Sequence, residues 1–111
     1  MNDFGLDTDD MEAIHSIFAA YPEIETAVLY GSRASGHFRS GSDIDLVLTG
    51  EFLTDRIVLD IRAALSDSDL PYLFDIMADT EVRDENLKQE IEEAGRFFYV
   101  AKGALRPVFT Y

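Results

Sequence analysis

The chain has 111 residues, 47% of them apolar, with a mean hydropathy of −0.06; that is enough for one domain with a buried core and leaves no room for a second. It carries 22 acidic against 9 basic residues, a formal net charge of −13, so it lacks the clustered Lys and Arg that duplex nucleic acid demands. Cysteine is absent, which excludes disulfides and thiolate zinc sites. No apolar run approaches the length of a membrane span, and the stretch from Met1 to Asp10 holds no Lys or Arg to open a leader. A single domain over residues 1–111, in the cytoplasm, is therefore expected. The acidic surface suits a basic protein partner or the gathering of cations, or serves solubility alone.

In chain order, Asp9 with Glu12 reads as the capping pair of a first helix. Its stripe Met11, Ile14, Phe18, Tyr21 recurs at three- and four-residue steps until Pro22. Thr26 to Tyr30 reads as a strand, stopped by Gly31, and Ser32 to Ser35 as a short helix. His37 to Ser42 is a polar loop. Asp43 to Thr49 is the second strand and Gly50 closes it. Thr54 or Asp55 caps a long helix with Ile57, Ile61, Ala64 and Leu65 on one face; Ser66 to Asp69 is a turn. The third strand spans Tyr72 to Met77 after Pro71. A last helix begins at Asp84 or Asn86, carries Leu87, Ile91 and Ala94, and stops at Gly95. Phe97 to Val100 is a fourth strand or an extended docking segment. The order predicts a small α/β (α+β) domain with a mixed sheet of three to four strands. Its helices are expected on one side, leaving the other face open.

The stretch from Gly31 to Asp45 carries the chemistry. A Gly-Ser turn lets backbone approach an anion, and the Ser32 hydroxyl adds a donor. Gly31 and Gly36 have the spacing of a Walker loop, but His37 and Phe38 stand where Lys and Ser/Thr belong. With ten residues intervening after Ser32, Asp43 and Asp45 open an apolar strand. Alternate strand residues share a face, which sets these acids roughly 6.6 Å apart. Two such carboxylates repel by about 2.5 kcal/mol at an effective dielectric near 20, and a divalent cation removes that cost. Asp75, alone among the apolar residues of the third strand, supplies a third carboxylate and requires a partner or a metal.

These residues resemble the nucleotidyltransferase superfamily of DNA polymerase beta. The Gly-Ser-Arg-Ala form, Asp43-Ile44-Asp45-Leu46, and the closing Ile91 to Gly95 with Tyr99 are similar to its minimal nucleotidyltransferase branch, over a motif core of about 25–99. That branch typically supplies the antitoxin of a pair whose toxin is a HEPN-domain ribonuclease. The resemblance implies that Gly31, Ser32, Arg33 and Ser42 contact the nucleotide. It implies that Asp43, Asp45 and Asp75 bind two Mg²⁺ ions and carry the catalysis. ATP would donate AMP to a hydroxyl, often a tyrosine, of the toxin. Phe74 and Ile76 make a more apolar setting for Asp75 than the family usually shows, which strand alternation tolerates. Two other readings stand beside this one: neutralisation by binding alone, and adenylylation of a small molecule, whose enzymes carry an extra domain.

Other residues are read less sharply. Arg33 either reaches a phosphate or caps the short helix, and Arg39 and Ser40 could meet the triphosphate. His15 and His37 read as surface residues with no third metal ligand. Tyr21, Tyr72, Phe74, Phe97, Phe98 and Tyr99 read as core, and the apolar tail Gly103 to Tyr111 as a docking or partner-binding segment.

Overall fold

The computed structural model describes residues 4–39 and 41–102; Ser40 and the tail 103–111, for which roles were considered above, lie outside it. The elements run α1 (Thr8–Ala19), β1 (Thr26–Tyr30), α2 (Ser32–Ser35), β2 (Ile44–Thr49), α3 (Asp55–Asp67), β3 (Phe74–Ala78), a 3-10 turn (Asp79–Glu81), α4 (Glu85–Ala94) and β4 (Arg96–Val100). The sheet order is β3-β2-β1-β4. β1 is antiparallel to β2 and β4, while β2 and β3 are parallel, joined by the α3 crossover that a parallel pair requires. This is the expected mixed α+β domain, with Phe97 to Val100 taking the strand form. No helix among the described residues is long and apolar enough to cross a membrane.

Strand alternation sends Ala27 and Leu29 of β1, Leu46 and Leu48 of β2, and Ile76 and Ala78 of β3 to one face. There they meet Ile14 and Phe18 of α1 and Val58, Ile61 and Leu65 of α3 in the main core. The opposite face is not fully open, contrary to the one-sided expectation. Val28, Tyr30 and Val47 pack under Ile91 and Leu87 of α4 and Val82 beyond the 3-10 turn. The stripe of α4 is short, so its sequence alone does not say which side of the sheet it covers.

Several boundaries move for local reasons. Asp7, not Asp9, caps α1: its carboxylate accepts from Asp10 N at 2.8 Å, which leaves Asp9 and Asp10 in the first turn, where negative charge suits the helix dipole. Thr54 caps α3 by accepting from Ile57 N at 3.2 Å, and the helix runs through Ser66 to Asp67. β3 starts at Phe74 instead of Tyr72, and β2 at Ile44 instead of Asp43. His15, read as a surface residue, is half-buried: its Nε2 is 2.8 Å from Phe98 O, and its ring packs on Phe98 and Tyr99, tying α1 to β4.

Gly95 ends α4, but with φ −66° it is not a left-handed cap. A Cβ there would lie 2.4 Å from Ile91 O and 2.9 Å from Val28 Cγ1, so glycine is required for the close approach of helix end to sheet. Ile91, fully buried, is the other anchor of α4. Ile91→Ala is expected to lower stability by about 2–5 kcal/mol in urea unfolding, the cost of a large-to-small change in a packed core.

Candidate active site

Register builds the site. Tyr30 pairs with Asp45 across β1 and β2, and Asp45 with Asp75 across β2 and β3, so the three stand in one row on the α4 face. Neighbouring strands lie about 4.8 Å apart. The next row, Val28, Val47 and Met77, is apolar and floors the site, and the Tyr30 hydroxyl turns toward Met77 Sδ at 3.8 Å. Asp43, one residue before β2, shares the parity of Asp45. Asp43 and Asp75 are exposed, whereas Asp45 is half-buried.

The row concentrates negative charge. Burial, then Asp75, Asp43 and Glu90, push Asp45 up to about 6. Burial, then Asp75, Asp45 and Glu90, also raise Tyr30. Among the described residues no Lys or Arg forms an ion pair with Asp43, Asp45 or Asp75. Uncompensated hard-oxygen donors of this kind fit Mg²⁺. No three metal-ligating side chains among the described residues are already gathered on one point. Mg²⁺ commonly binds through one or two carboxylates together with substrate phosphates, so the donor set fits an ion that arrives with its nucleotide.

Gly31 faces Asp45. It opens α2 at φ 76° and ψ −154°, and a Cβ on it would stand 2.5 Å from Asp45 Oδ2. Only glycine meets both demands, the positive φ and the contact with the carboxylate. Its amide donates to Glu90 Oε2 at 3.1 Å. Ser32 is partly exposed next to it, and its carbonyl accepts from the Ser35 hydroxyl at 3.1 Å.

Arg33 is placed differently from the nucleotide contact that the resemblance implied. It is only 1% exposed. Its Nη1 donates to Phe4 O at 2.8 Å, and Nε and Nη2 donate to Ser42 O at 3.1 and 3.0 Å. The guanidinium is sandwiched by the rings of Phe38 and Tyr72, each 5.3 Å away. With donors turned to the backbone carbonyls of Phe4 and Ser42, it is a rivet that holds the N-terminal segment, α2 and the end of the 36–42 loop together. Ser42 is part of the same fastening: its hydroxyl accepts from Arg39 N at 2.8 Å, and its amide donates to Arg39 O at 3.0 Å. Arg39 and His37 are exposed. Tyr72, read as core, is partly buried and donates its hydroxyl to Asp10 at 2.5 Å; that bond, more than burial, pushes it up to about 12.

Two members of the site escaped the sequence reading. Tyr30 could have been found only with the β1–β2 register in hand. Glu90 flanks the Leu87–Ile91 stripe, and nothing local says that this flank overhangs Gly31.

A four-stranded mixed sheet whose glycine turn abuts an in-register pair of aspartates defines a small α+β domain of the nucleotidyltransferase class. The family model described as "Polymerase beta, Nucleotidyltransferase" matches residues 12–103, and the chain belongs to this family. Solved structures agree in fold. A chain in the crystal structure of a toxin–antitoxin with AMP-PNP aligns with a TM-score of 0.65 at 19% identity, covering 84% of this chain and 75% of its own. A chain from the complex of tri-AMPylated Shewanella oneidensis HEPN toxin with MNT antitoxin gives 0.61 at 16%, covering 86% and 74%. One from the toxin–antitoxin MntA–HepT gives 0.59 at 16%, again covering 86% and 74%. No curated protein matches the chain significantly in sequence.

Two expectations follow. Because the folded-state value of Asp45 lies above its ordinary 3.8, its contribution is favourable at low pH and is lost as pH rises from about 4 through about 6. Asp45→Asn removes that loss. Without metal, its stability in urea unfolding relative to wild type should climb across this window and then level, by an amount on the order of 1 kcal/mol once water screening at a half-exposed site is allowed for. Arg33→Met leaves the carbonyls of Phe4 and Ser42 without these donors and should cost on the order of 3 kcal/mol in urea unfolding.

Proposed function

We propose that this chain is a Mg²⁺-dependent adenylyltransferase that moves AMP from ATP to a hydroxyl, expected to be a tyrosine, of a HEPN-type ribonuclease toxin, and so serves as the cytoplasmic antitoxin of that pair. The observation that carries the reading is the in-register pair Asp45 and Asp75, the former against the Gly31 turn, with no ion pair to either acid among the described residues. The toxin–antitoxin structures that share the fold, one with AMP-PNP and one with a tri-AMPylated toxin, support the choice of nucleotide and partner.

Asp43, Asp45 and Asp75 would hold the ions. Mg²⁺ bound there would neutralise charge on the α-phosphate and on departing pyrophosphate. The Gly31 turn and the Ser32 hydroxyl would bind phosphate oxygens, while Arg33 and Ser42 fix the turn that positions them. The acceptor oxygen bonds to the α-phosphorus, the bond from that phosphorus to the oxygen bridging to the β-phosphate breaks, and pyrophosphate leaves. The acceptor's proton passes to Asp75, which is exposed and so open to an entering hydroxyl, whereas Asp45 is half-buried beside Gly31. The apolar row behind the acids excludes water from one side.

A second reading, neutralisation by binding alone, draws on the net charge of −13 and on Phe52 and Leu73, which are 72% and 74% exposed. Intact-mass spectrometry of the candidate toxin after incubation with the chain, ATP and Mg²⁺ separates the two. The toxin is expected to gain one or more AMP units. Asp43→Asn and Asp45→Asn are each expected to slow the gain by on the order of 100-fold while the protein stays folded. A toxin that is silenced without gaining mass would leave only the binding reading.

A further inference from the structure

Glu90 belongs to none of the motifs, yet it reaches the phosphate turn from α4. Its Oε2 accepts the hydrogen bond from Gly31 N at 3.1 Å, and Asp45 Oδ2 lies 2.5 Å from where a Cβ on the same glycine would stand. The glycine thus has one carboxylate on its amide and another against its α-carbon. An exposed glutamate can satisfy itself with water, and repulsion favours its staying away from Asp45. Glu90 instead docks on the backbone donor, and its charge is felt by both Asp45 and Tyr30. A carboxylate oxygen on a backbone N–H has the charge and reach of a phosphate oxygen. A single N–H does not donate at full strength to both.

We propose that Glu90 is a built-in competitor for the phosphate position at Gly31, setting the affinity for nucleoside triphosphate and withdrawing when the triphosphate binds. This rests on the reading of the Gly31 turn as a phosphate contact. α4 need not move for the exchange: Ile91 is fully buried and Gly95 is packed on Val28, so the helix is fixed, while a rotamer change lets the Glu90 side chain swing into water.

The test is calorimetric titration of the full chain with α,β-methylene ATP at fixed Mg²⁺, an analogue that binds but cannot transfer AMP. Glu90→Ala is expected to lower Kd roughly threefold to tenfold, the range of one net hydrogen bond. Glu90→Gln, which keeps an acceptor and loses the charge, should lie between Glu90→Ala and wild type. Glu93→Ala makes the same change of net charge on the outward side of α4, where Glu93 accepts from Gln89 at 3.0 Å, and should leave Kd near wild type. Equal binding by wild type and Glu90→Ala, or an equal gain in Glu93→Ala, would overturn the competitor role while leaving the nucleotide reading intact. No binding by any of these proteins would overturn the nucleotide reading, and this inference with it.

Discussion

The constraint on which the rest depends is electrostatic: Asp45 sits in the middle strand of its row, half-buried, with Asp75 in register on one side and a tyrosine on the other. A carboxylate in that position is held far above its ordinary pKa, first by burial and then by the neighbouring acids. A fold that keeps such an arrangement, with no ion pair to these acids among the described residues, carries a standing penalty, which a divalent cation would relieve on the proposed reading. The surrounding architecture serves that arrangement. The main core under α1 and α3 fixes the register of β1, β2 and β3 through Leu29, Leu46 and Ile76. A slip of one residue would turn all three acids into that core, which the apolar partners there forbid.

The second layer of the design is the fastening of the phosphate turn. A turn proposed to present its backbone to an anion cannot rely on its own four-residue helix for rigidity. Here Arg33 supplies it from beneath, joining carbonyls at positions 4 and 42 between two aromatic rings. An arginine within a phosphate-binding motif invites the assumption that it meets phosphate. In this chain its charge lies inside the protein, stacked and hydrogen-bonded, which on the proposed reading leaves the anion to the backbone, Ser32 and bound cations. The net charge of −13 makes the same point at the scale of the molecule.

Much of this was legible in the sequence where local chemistry decides the outcome. β1 and α2 have the bounds that the sequence indicated, because an apolar, β-branched run ends at a glycine that the backbone conformation requires. Alternation alone placed Asp43 and Asp45 on one face, whereas the pairing of Asp75 with Asp45 is seen only in the β2–β3 register. What the sequence did not disclose depends on contacts distant along the chain. The carbonyls that Arg33 meets include one 29 positions away, Glu90 meets Gly31 across 59, and His15 meets Phe98 across 83. The choice of Asp7 over Asp9 as the cap of α1 is a different kind of miss, since each is a sound N-cap and only the backbone path separates them. The placement of α4 on the second face turned on packing that its own stripe does not encode.

The claim at the centre of this account is that the Asp45 row is a divalent-cation site completed by a nucleotide's phosphates. Manganese titration followed by electron paramagnetic resonance, with α,β-methylene ATP and the wild-type or Asp45→Asn chain, tests it most directly. The account expects Mn²⁺ held by the wild-type protein together with the analogue to be released from the Asp45→Asn protein. Equal retention of Mn²⁺ by both proteins, or none by the wild type at millimolar analogue, would contradict it.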